Sequence, residues 1–525
     1  MGIFNETQNA KTSYSSFNLS HNRIGSYSAG ILYPVMCEEY LPGDNFSQHQ
    51  QQMIKTLPLV SPAMDEYNVY FHYFAVPNRL LDDTWQDFIT GGEDGQSDAL
   101  PPFLENLYQA DGTLTDHLGY PTSTTGDMPD VSRLPFAAYH LIYNEYYRDQ
   151  NLIEKIKPLN DVEGTIAASQ VVNLEPKYLS LHRRAWAHDY FTSNLPFAQK
   201  GDPVRIPLIN STGQYLGVEF DESGFTLIKR EDNSGTSPDG SGLSWPVATN
   251  NLVTDATGTR AAVDNSSNLR VALEDLDVNA AYINDLRTAI SVQQWMELAA
   301  RGGSRYVEMI NVIFGVRSSD GRLQRPVYLG GNMSPLMISE IDQTSQTTDF
   351  SPQGNLAGKG INMHSTHAYN QRFEEHGFIM CLMSIIPKAR YMSQGLPRKY
   401  SRKSRYDYFW PQFEGIGEQA VLNQELFIGD AENNNKTFGY IPRYSEYKYI
   451  PSTVHGEMKN NLDHWHSARR FSNPPALNQE FIECNPPRRI FADTSDSNQF
   501  ICQIWHNIQA QRKMSYFSPP GLTRI

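Results

Sequence analysis

Cysteine is scarce in this chain of 525 residues, and the four present, Cys37, Cys381, Cys484 and Cys502, form no CxxC pair. So few thiols so far apart predict reduced, buried cysteines rather than a disulfide framework. No window approaches the roughly 20 apolar residues that a membrane-spanning helix needs. Residues 1–6 have neither the basic nor the apolar region of a secretory signal peptide. We therefore expect a soluble protein that is not exported by a signal-peptide route.

Charge is also sparse, at 19% of residues, and it is unbalanced, with 43 basic against 58 acidic side chains and a formal net charge of -15. No basic tail opens or closes the chain. This balance argues against nucleic-acid binding driven by overall charge. Any contact with a polyanion must be local, or must use a separate cationic partner.

Aromatic residues, by contrast, make up 12% of the chain, and 31 prolines and 36 glycines interrupt it throughout. This composition excludes a long helical protein and wholesale disorder, and it favours short strands joined by long loops. Apolar patterns predict strands at 67–76, 376–387, 438–450 and 499–510 and helices at 85–89, 135–150 and 279–301. Residues 1–60 are expected to be extended and loop-like.

A polar segment separates the second and third predicted helices. Between Glu231 and Leu269, 26 of 39 residues are Ser, Thr, Asn, Gly, Asp or Pro. Such a stretch cannot fill a core and is too long for an ordinary connection. It is either a disordered linker or a surface excursion with a little β-structure of its own at 215–220 and 225–229, and the helix that follows favours an insertion into one fold.

The sequence contains one dense cluster of basic residues, at 388–405. Seven basic residues lie within 18 positions that contain no acid, and aromatic residues interleave with them or follow them. Cations beside stackable rings suit contact with single-stranded nucleic acid. A solvated loop, or a patch that pairs with the acidic surface of a neighbouring copy, fits about equally well. The residues predicted to face DNA are Lys388, Arg390, Arg398, Lys399, Tyr400, Arg402, Lys403, Arg405 and Trp410.

Catalytic and metal-binding signatures are missing from the sequence. Gly415 and Gly417 lack the third glycine and the following helix of a dinucleotide loop, so a turn is expected. His455, His464 and His466 have no further ligand at a standard zinc spacing, so local hydrogen bonding is expected. We predict no enzymatic activity, no cofactor and no metal.

Several long motifs resemble the major capsid protein of gokushovirus-type microviruses, small tailless bacteriophages of the family Microviridae. They span nearly the whole chain. They are RGGSRYVE (301–308), FGV (314–316), LQRPVYLGG (323–331), NEYYRDQNL (144–152), HDYFTSNLP (188–196), GEQAVLN (417–423) and PSTVHG (451–456).

The resemblance implies a mainly β fold, a single eight-stranded antiparallel jelly roll over residues 1–525 with long loop insertions and a few short helices. It implies a T=1 icosahedral shell of identical subunits, assembled in the bacterial host cytoplasm around circular single-stranded DNA. A small, separate basic virion protein would help to neutralise the genome.

The family also carries an insertion that forms a surface protrusion near the threefold axis, and we assign residues 201–277 to it. The protrusion would contact a host-cell surface receptor. Its candidate residues are Glu231, Asp232, Asp239, Trp245, Asp255 and Asp264.

Two alternatives remain open at this stage. A carbohydrate-active β-rich enzyme would share the composition, but it would need two carboxylates in an aromatic cleft and is usually exported. A stand-alone receptor-binding adhesin would overlap with the capsid reading through the protrusion.

Overall fold

The computed structural model divides the chain into two compact units, residues 1–200 with 297–525, and residues 201–296. The residues it describes are 14–92, 97, 100, 103–105, 107, 109–122, 129–156, 165–167, 178–202, 243–244, 251–254, 260–262, 283–302, 308, 311–312, 315–317, 319–347, 352–495 and 498–517.

Strands account for most of the regular structure. They are β1 (Ser15–Asn18), β2 (His21–Tyr27), β3 (Tyr33–Tyr40), β4 (Asn45–Thr56), β5 (Tyr67–Pro77), β6 (Phe103–Glu105), β7 (Val131–Ser132), β8 (Thr165–Ala167), β9 (Leu243–Ser244), β10 (Asn251–Thr254), β11 (Arg260–Ala262), β12 (Val327–Asp342), β13 (Leu356–Arg372), β14 (Gly377–Pro387), β15 (Glu418–Leu422), β16 (Thr437–Pro442) and β17 (Phe500–Arg512).

The helices are mostly short. They are α1 (Trp85–Thr90), α2 (Leu114–Leu118), α3 (Leu134–Ile142), α4 (Ile283–Gly302), α5 (Asn423–Leu426), α6 (Ala431–Asn434), α7 (Ser445–Lys448) and α8 (Gln479–Ile482), with a π-helical turn (Tyr143–Tyr147) after α3 and 3-10 turns at Asn78–Leu80, Arg398–Tyr400, Arg405–Asp407, Pro411–Ile416, Gly456–Lys459 and Asp463–Trp465.

A nine-stranded antiparallel sheet organises the first unit, in the order β1-β17-β4-β13-β12-β5-β14-β3, with β2 also paired to β17. β12 joins its two halves, because residues 327–336 pair with β5 whereas Met337–Asp342 pair with β13. The sheet curls into a half-barrel. Tyr67 on β5 and Phe500 on β17, which are not neighbours in the sheet, have ring centroids 5.8 Å apart across the interior.

Apolar packing covers both faces of the half that contains β14. One face lines the interior of the curl, with Ile379 and Ile385 in the main core, and the other, with Met380 and Leu382, packs in a second core that includes α3. Every residue of β14 is consequently buried. This arrangement explains why β14 reads as a continuous apolar run rather than an alternating one.

Within residues 201–296, the described residues form a small antiparallel sheet in the order β11-β10-β9 and the first turns of α4. The predicted strands at 215–220 and 225–229 lie outside the described residues.

The mainly β, antiparallel class with short helices is confirmed, as are the strands at β5, β14 and β17 and the helix at α1, which Gly91 ends with φ 78°. The expected count of eight strands is not confirmed, since the main sheet contains nine. All four cysteines are free thiols; Cys381, Cys484 and Cys502 are buried as expected, whereas Cys37 is only partly buried.

The loop prediction for residues 1–60 is wrong, because β1 to β4 occupy most of that range. β4 lacks the apolar alternation that predicts a strand, because its inward positions include Gln48, Gln50 and Gln52, all at most 3% exposed. The prediction of a strand at 438–450 is half wrong. β16 ends at Pro442, and Tyr444, in the left-handed region at φ 65°, turns the chain into α7.

The buried glutamines of β4 form a hydrogen-bonded row through the core. Gln50 Oε1 accepts a bond from the Tyr73 hydroxyl (2.5 Å), and its Nε2 donates to Gln52 Oε1 (2.8 Å). Gln52 Nε2 donates in turn to Asn362 Oδ1 (2.8 Å), and Gln48 Nε2 lies 3.1 Å from His506 Nδ1. The row links β4 to β5, β13 and β17, and it gives hydrogen-bond partners to the side chains of Gln50, Gln52 and Asn362, which would be costly to bury alone.

Replacing Gln50 with leucine should lower the free energy of unfolding by about 2–4 kcal/mol, because the Tyr73 hydroxyl and Gln52 Oε1 would lose buried partners. Chemical denaturation of the soluble subunit measures this. Gln51→Leu is the matched control, since Gln51 is the next residue and faces outward, and it should change stability by no more than about 0.5 kcal/mol. Equal losses would contradict the assigned role of the row.

A buried histidine pair lies in the second core. His140 Nε2 is 2.5 Å from the carbonyl oxygen of Tyr178, and His140 Nδ1 is 2.9 Å from His182 Nε2. When both rings are neutral, His182 Nε2–H donates to His140 Nδ1. Protonation of His140 Nδ1 would place two N–H groups against each other. Burial lowers the pKa of His140 from 6.5 to about 4.

The pKa of His140 is lower in the folded state, so the unfolded state binds a proton first as the pH falls. The stability that the neutral pair contributes is therefore complete above pH 6.5 and is lost as the pH falls towards 4. At pH 5.5 the loss should reach about 1 kcal/mol. Unfolding measured at pH 7.5 and 5.5 should show a smaller decrease for His140→Gln than for the wild type. The same decrease in both proteins would assign the pH dependence to other groups.

Candidate nucleic-acid interface

The predicted cationic cluster lies in the segment that leaves β14 at Pro387. Backbone bonds hold this segment against other parts of the first unit: Lys388 N donates to Glu66 O, Tyr391 N to Ser452 O and Leu396 N to Gln424 O. Ser404 caps the short turn Arg405–Asp407 reciprocally with Asp407. The cations are therefore displayed on a fixed scaffold, although little of it is regular helix or strand.

The cations nearest β14 are paired with carboxylates. Lys388 Nζ lies 3.2 Å from Glu66 Oε2, and Arg390 lies 2.8 Å from Asp65 Oδ1 and 3.5 Å from Glu66. The Asp65 carboxylate is buried, which raises its pKa, and it also accepts a hydrogen bond from the backbone N–H of Ser467. Both cations are thus largely neutralised by acids more than 300 positions earlier in the chain.

Two arginines in the middle of the cluster act as structural ties. The Arg398 guanidinium donates to Ala420 O (3.0 Å) and lies 3.7 Å from Glu425. The Arg402 side chain, only 8% exposed, lies 3.7 Å from Glu446. Arg402 also stacks over the rings of Tyr408 (4.9 Å) and Tyr447 (4.4 Å).

The other predicted cations form an exposed patch with aromatic rings, which we define as Lys399, Tyr400, Lys403, Arg405, Tyr406 and Trp410. Lys399 lies over the ring of Tyr400 and Arg405 over that of Tyr406, each at 4.9 Å. Tyr400, Tyr406 and Trp410 are 68%, 53% and 47% exposed. No ion pair within the described residues neutralises Lys399, Lys403 or Arg405, so this patch keeps the chemistry that a single strand requires.

Asp407 adds a negative charge beside the patch that the acid-free window, which ends at Arg405, did not include. Its carboxylate accepts the backbone N–H groups of Lys403 and Ser404, and these bonds lower its pKa. Its role is to shape the turn. The sequence reasoning also missed Glu446 and Tyr447, which hold Arg402. The apolar pattern predicts a strand over 438–450, although Tyr444 and Tyr447 have the i, i+3 spacing of one helix face.

The histidine and glycine predictions can be compared with the structure, whereas the protrusion predictions cannot. His466 is held locally, with Nε2 2.8 Å from Met458 O, and His455 Nε2 lies 2.9 Å from the Thr453 hydroxyl. Gly417 does follow a turn, Pro411–Ile416, and it leads into β15 rather than a helix. The protrusion candidates lie outside the described residues: Glu231, Asp232, Asp239, Trp245, Asp255 and Asp264.

A cavity of about 520 Å³ lies over the outer face of β5 and is lined by Tyr70, Arg184 and Arg325 among others. Asp320 is the only carboxylate among the described residues that line it, and the Arg325 guanidinium holds it at 2.6 Å. Glycoside hydrolysis ordinarily requires two carboxylates. In the described part of the chain, no three His, Cys, Asp or Glu side chains gather as a metal site, and no helix has the length and apolarity to cross a membrane.

The curled antiparallel sheet with long, irregular loops is consistent with the β-barrel of viral capsid proteins. The chain belongs to the capsid protein (F protein) family, which it matches over residues 5–522. It is 35% identical to the capsid protein VP1 of Chlamydia phage 1, over 99% of this chain and 98% of that protein. It is 34% identical to VP1 of Bdellovibrio phage phiMH2K (99% and 97%) and 30% identical to VP1 of Spiroplasma virus 4 (97% and 96%).

The resemblance to gokushovirus-type capsid proteins is thereby confirmed. The chain is a structural capsid protein, a component of the virion, and not an enzyme. The carbohydrate-active alternative is set aside on this evidence.

Arg402→Ala should loosen the segment that carries the exposed patch, because two rings and Glu446 would lose the guanidinium between them. Cleavage by trypsin after Lys403 and Arg405, followed by mass spectrometry, should become several-fold faster. Lys399→Ala is the control, since it removes a neighbouring cation that contacts no carboxylate among the described residues, and it should leave cleavage at those two sites unchanged. Equal rates for wild type and Arg402→Ala would refute the structural role.

Proposed function

We propose that this capsid protein assembles with identical copies into a T=1 icosahedral shell that encloses circular single-stranded DNA. Its cationic segment contributes to the inner surface. The family membership over nearly the entire chain is the observation that carries the proposal.

Exposed apolar side chains on loops support assembly with other copies. Ile450 is 81% exposed, its neighbour Tyr449 45%, Ile416 61% and Ile428 54%. Large apolar side chains left exposed in this way are typical of surfaces that bury themselves against a partner. A second copy is the fitting partner, since a closed shell repeats one set of contacts around its symmetry axes.

The exposed patch supports a role in holding the genome. Lys399, Lys403 and Arg405 can approach phosphates, while Tyr400 and Tyr406 offer faces on which bases stack. The chain is otherwise acidic, so a small basic virion protein is a fitting second source of positive charge inside the shell.

Residues 201–277 are proposed as the surface protrusion near the threefold axis, with attachment to a host-cell receptor as their role. Their many neutral polar and acidic side chains suit a solvent-facing insertion. Deleting them should spare assembly and abolish attachment.

Assembly is tested by size-exclusion chromatography and negative-stain microscopy of the expressed protein. Isometric particles of one size that contain nuclease-protected single-stranded DNA would support the proposal. A monomer or small oligomer under all conditions would refute it.

The role of the exposed patch is tested by the triple substitution Lys399→Gln, Lys403→Gln and Arg405→Gln. We expect particles to form and to hold several-fold less DNA, because three phosphate contacts per subunit are lost. The matched control is Lys155→Gln, Arg322→Gln and Lys436→Gln, which removes the same charge elsewhere. Equal DNA content in the two triple variants would place the patch away from the genome.

A further inference from the structure

One continuous outward face is formed by five neighbouring strands of the main sheet: β1, β2, β17, β4 and β13. Alternation is regular, as on β17, where Ile501, Asn507 and Gln509 are exposed between buried neighbours. The register aligns the outward residues in rows across the strands: Trp505 lies opposite Gln51, and Asn507 lies opposite His49, which lies opposite His367. We call this surface the amide face.

The amide face has an unusual composition for this chain. The outward residues of β4 are Asn45, Ser47, His49, Gln51, Met53 and Lys55, and those of β17 are Ile501, Gln503, Trp505, Asn507, Gln509 and Gln511. Amides dominate. At the outward positions of these five strands, all of them described, no aspartate or glutamate occurs, although the whole chain has 58.

The charges on the amide face are all positive. Lys55, Lys359 and Arg372 lie on β4 and β13, and none of the three is within 4 Å of a carboxylate among the described residues. A polyanion can therefore approach this surface without repulsion from the face itself, and it meets cations that have no carboxylate partner in the described part of the chain.

Rings and amides occupy the middle of the amide face. The rings of His49 and His367 pack edge to face at 5.1 Å, and Trp505 lies one row away. Gln51 and Asn507 flank them. Unpaired bases stack on rings and exchange hydrogen bonds with amide groups, so this combination suits a strand whose bases are free.

Exposed apolar side chains on the same face favour a single strand over a duplex. Ile24 is 68% exposed, Met363 71% and Ile501 50%. The phosphates and sugars that a duplex presents to a sheet cannot cover these apolar side chains, whereas splayed bases can.

We propose that the amide face is the surface on which the enclosed single-stranded DNA lies, with bases on the central rings and phosphates at Lys55, Lys359 and Arg372. This assignment rests on the proposed function, because it requires a shell with DNA inside. It adds a second, larger surface to the exposed patch.

The test introduces carboxylates of nearly unchanged shape: Gln51→Glu, Gln503→Glu and Asn507→Asp. These side chains face outward and make no hydrogen bond that folding requires, so the subunits should fold and assemble. We expect several-fold less DNA per particle, read from the ratio of absorbance at 260 and 280 nm and from quantitative amplification of the genome. The matched control, Gln86→Glu, Gln353→Glu and Asn460→Asp, adds the same charge elsewhere and should retain wild-type DNA content.

Ultraviolet cross-linking of wild-type particles provides an independent measurement. Peptides from β4 and β17, including the one with Trp505, should carry cross-linked nucleotides. Wild-type DNA content in the acidic variant, or cross-links confined to other segments, would overturn the inference. Folded acidic subunits that fail to assemble would identify the amide face as an interface between copies and would overturn it as well. Wild-type particles without DNA would refute the proposed function itself.

Discussion

The row of buried glutamines on β4 is the constraint on which the rest of the first unit depends. Gln50 and Gln52 hydrogen-bond only if β4 keeps its register with β13 and faces β5 across the curl. Side chains alternate along a strand, so a slip of one residue would bury His49 and Gln51 and expose the glutamines. A slip of two residues would keep the same side chains inside but would break these directed bonds, whereas an apolar row would tolerate it more easily because apolar contacts have no direction. The inward bonds thereby decide which side chains form the outward surface.

The same row marks the limit of what sequence could predict about the fold. β5, β14 and β17 were recognisable because they combine aromatic and β-branched residues, and α1 because Gly91 ends it. β4 was not, since Asn, Gln and Ser on both faces look like a loop. Its strand character depends on partners such as Tyr73 and Asn362, which lie in distant segments. A single sequence does not reveal which polar groups will be satisfied inside a core.

The cationic segment shows a similar limit for function. Its charge density was visible in the sequence, but the partners of its charges were not, because Asp65, Glu66, Glu425 and Glu446 come from other segments. Arg390 and Arg402 serve packing, whereas Lys399, Lys403 and Arg405 stay available. A run of cations therefore predicted the place of a surface more reliably than the role of each residue in it.

An acidic chain can line a container for an anion if its charges are segregated. At physiological ionic strength, exposed charges farther away than about 8 Å are largely screened, so a DNA strand responds to the side chains directly beneath it. The formal net charge of -15 is therefore a poor guide to any single surface. Among the described residues, the extended amide face has no carboxylate and carries three cations without a carboxylate partner, so it is attractive to phosphate even though the whole molecule is not. Amides add contacts that are independent of charge, so the surface can hold a flexible strand without binding it so tightly that release is blocked.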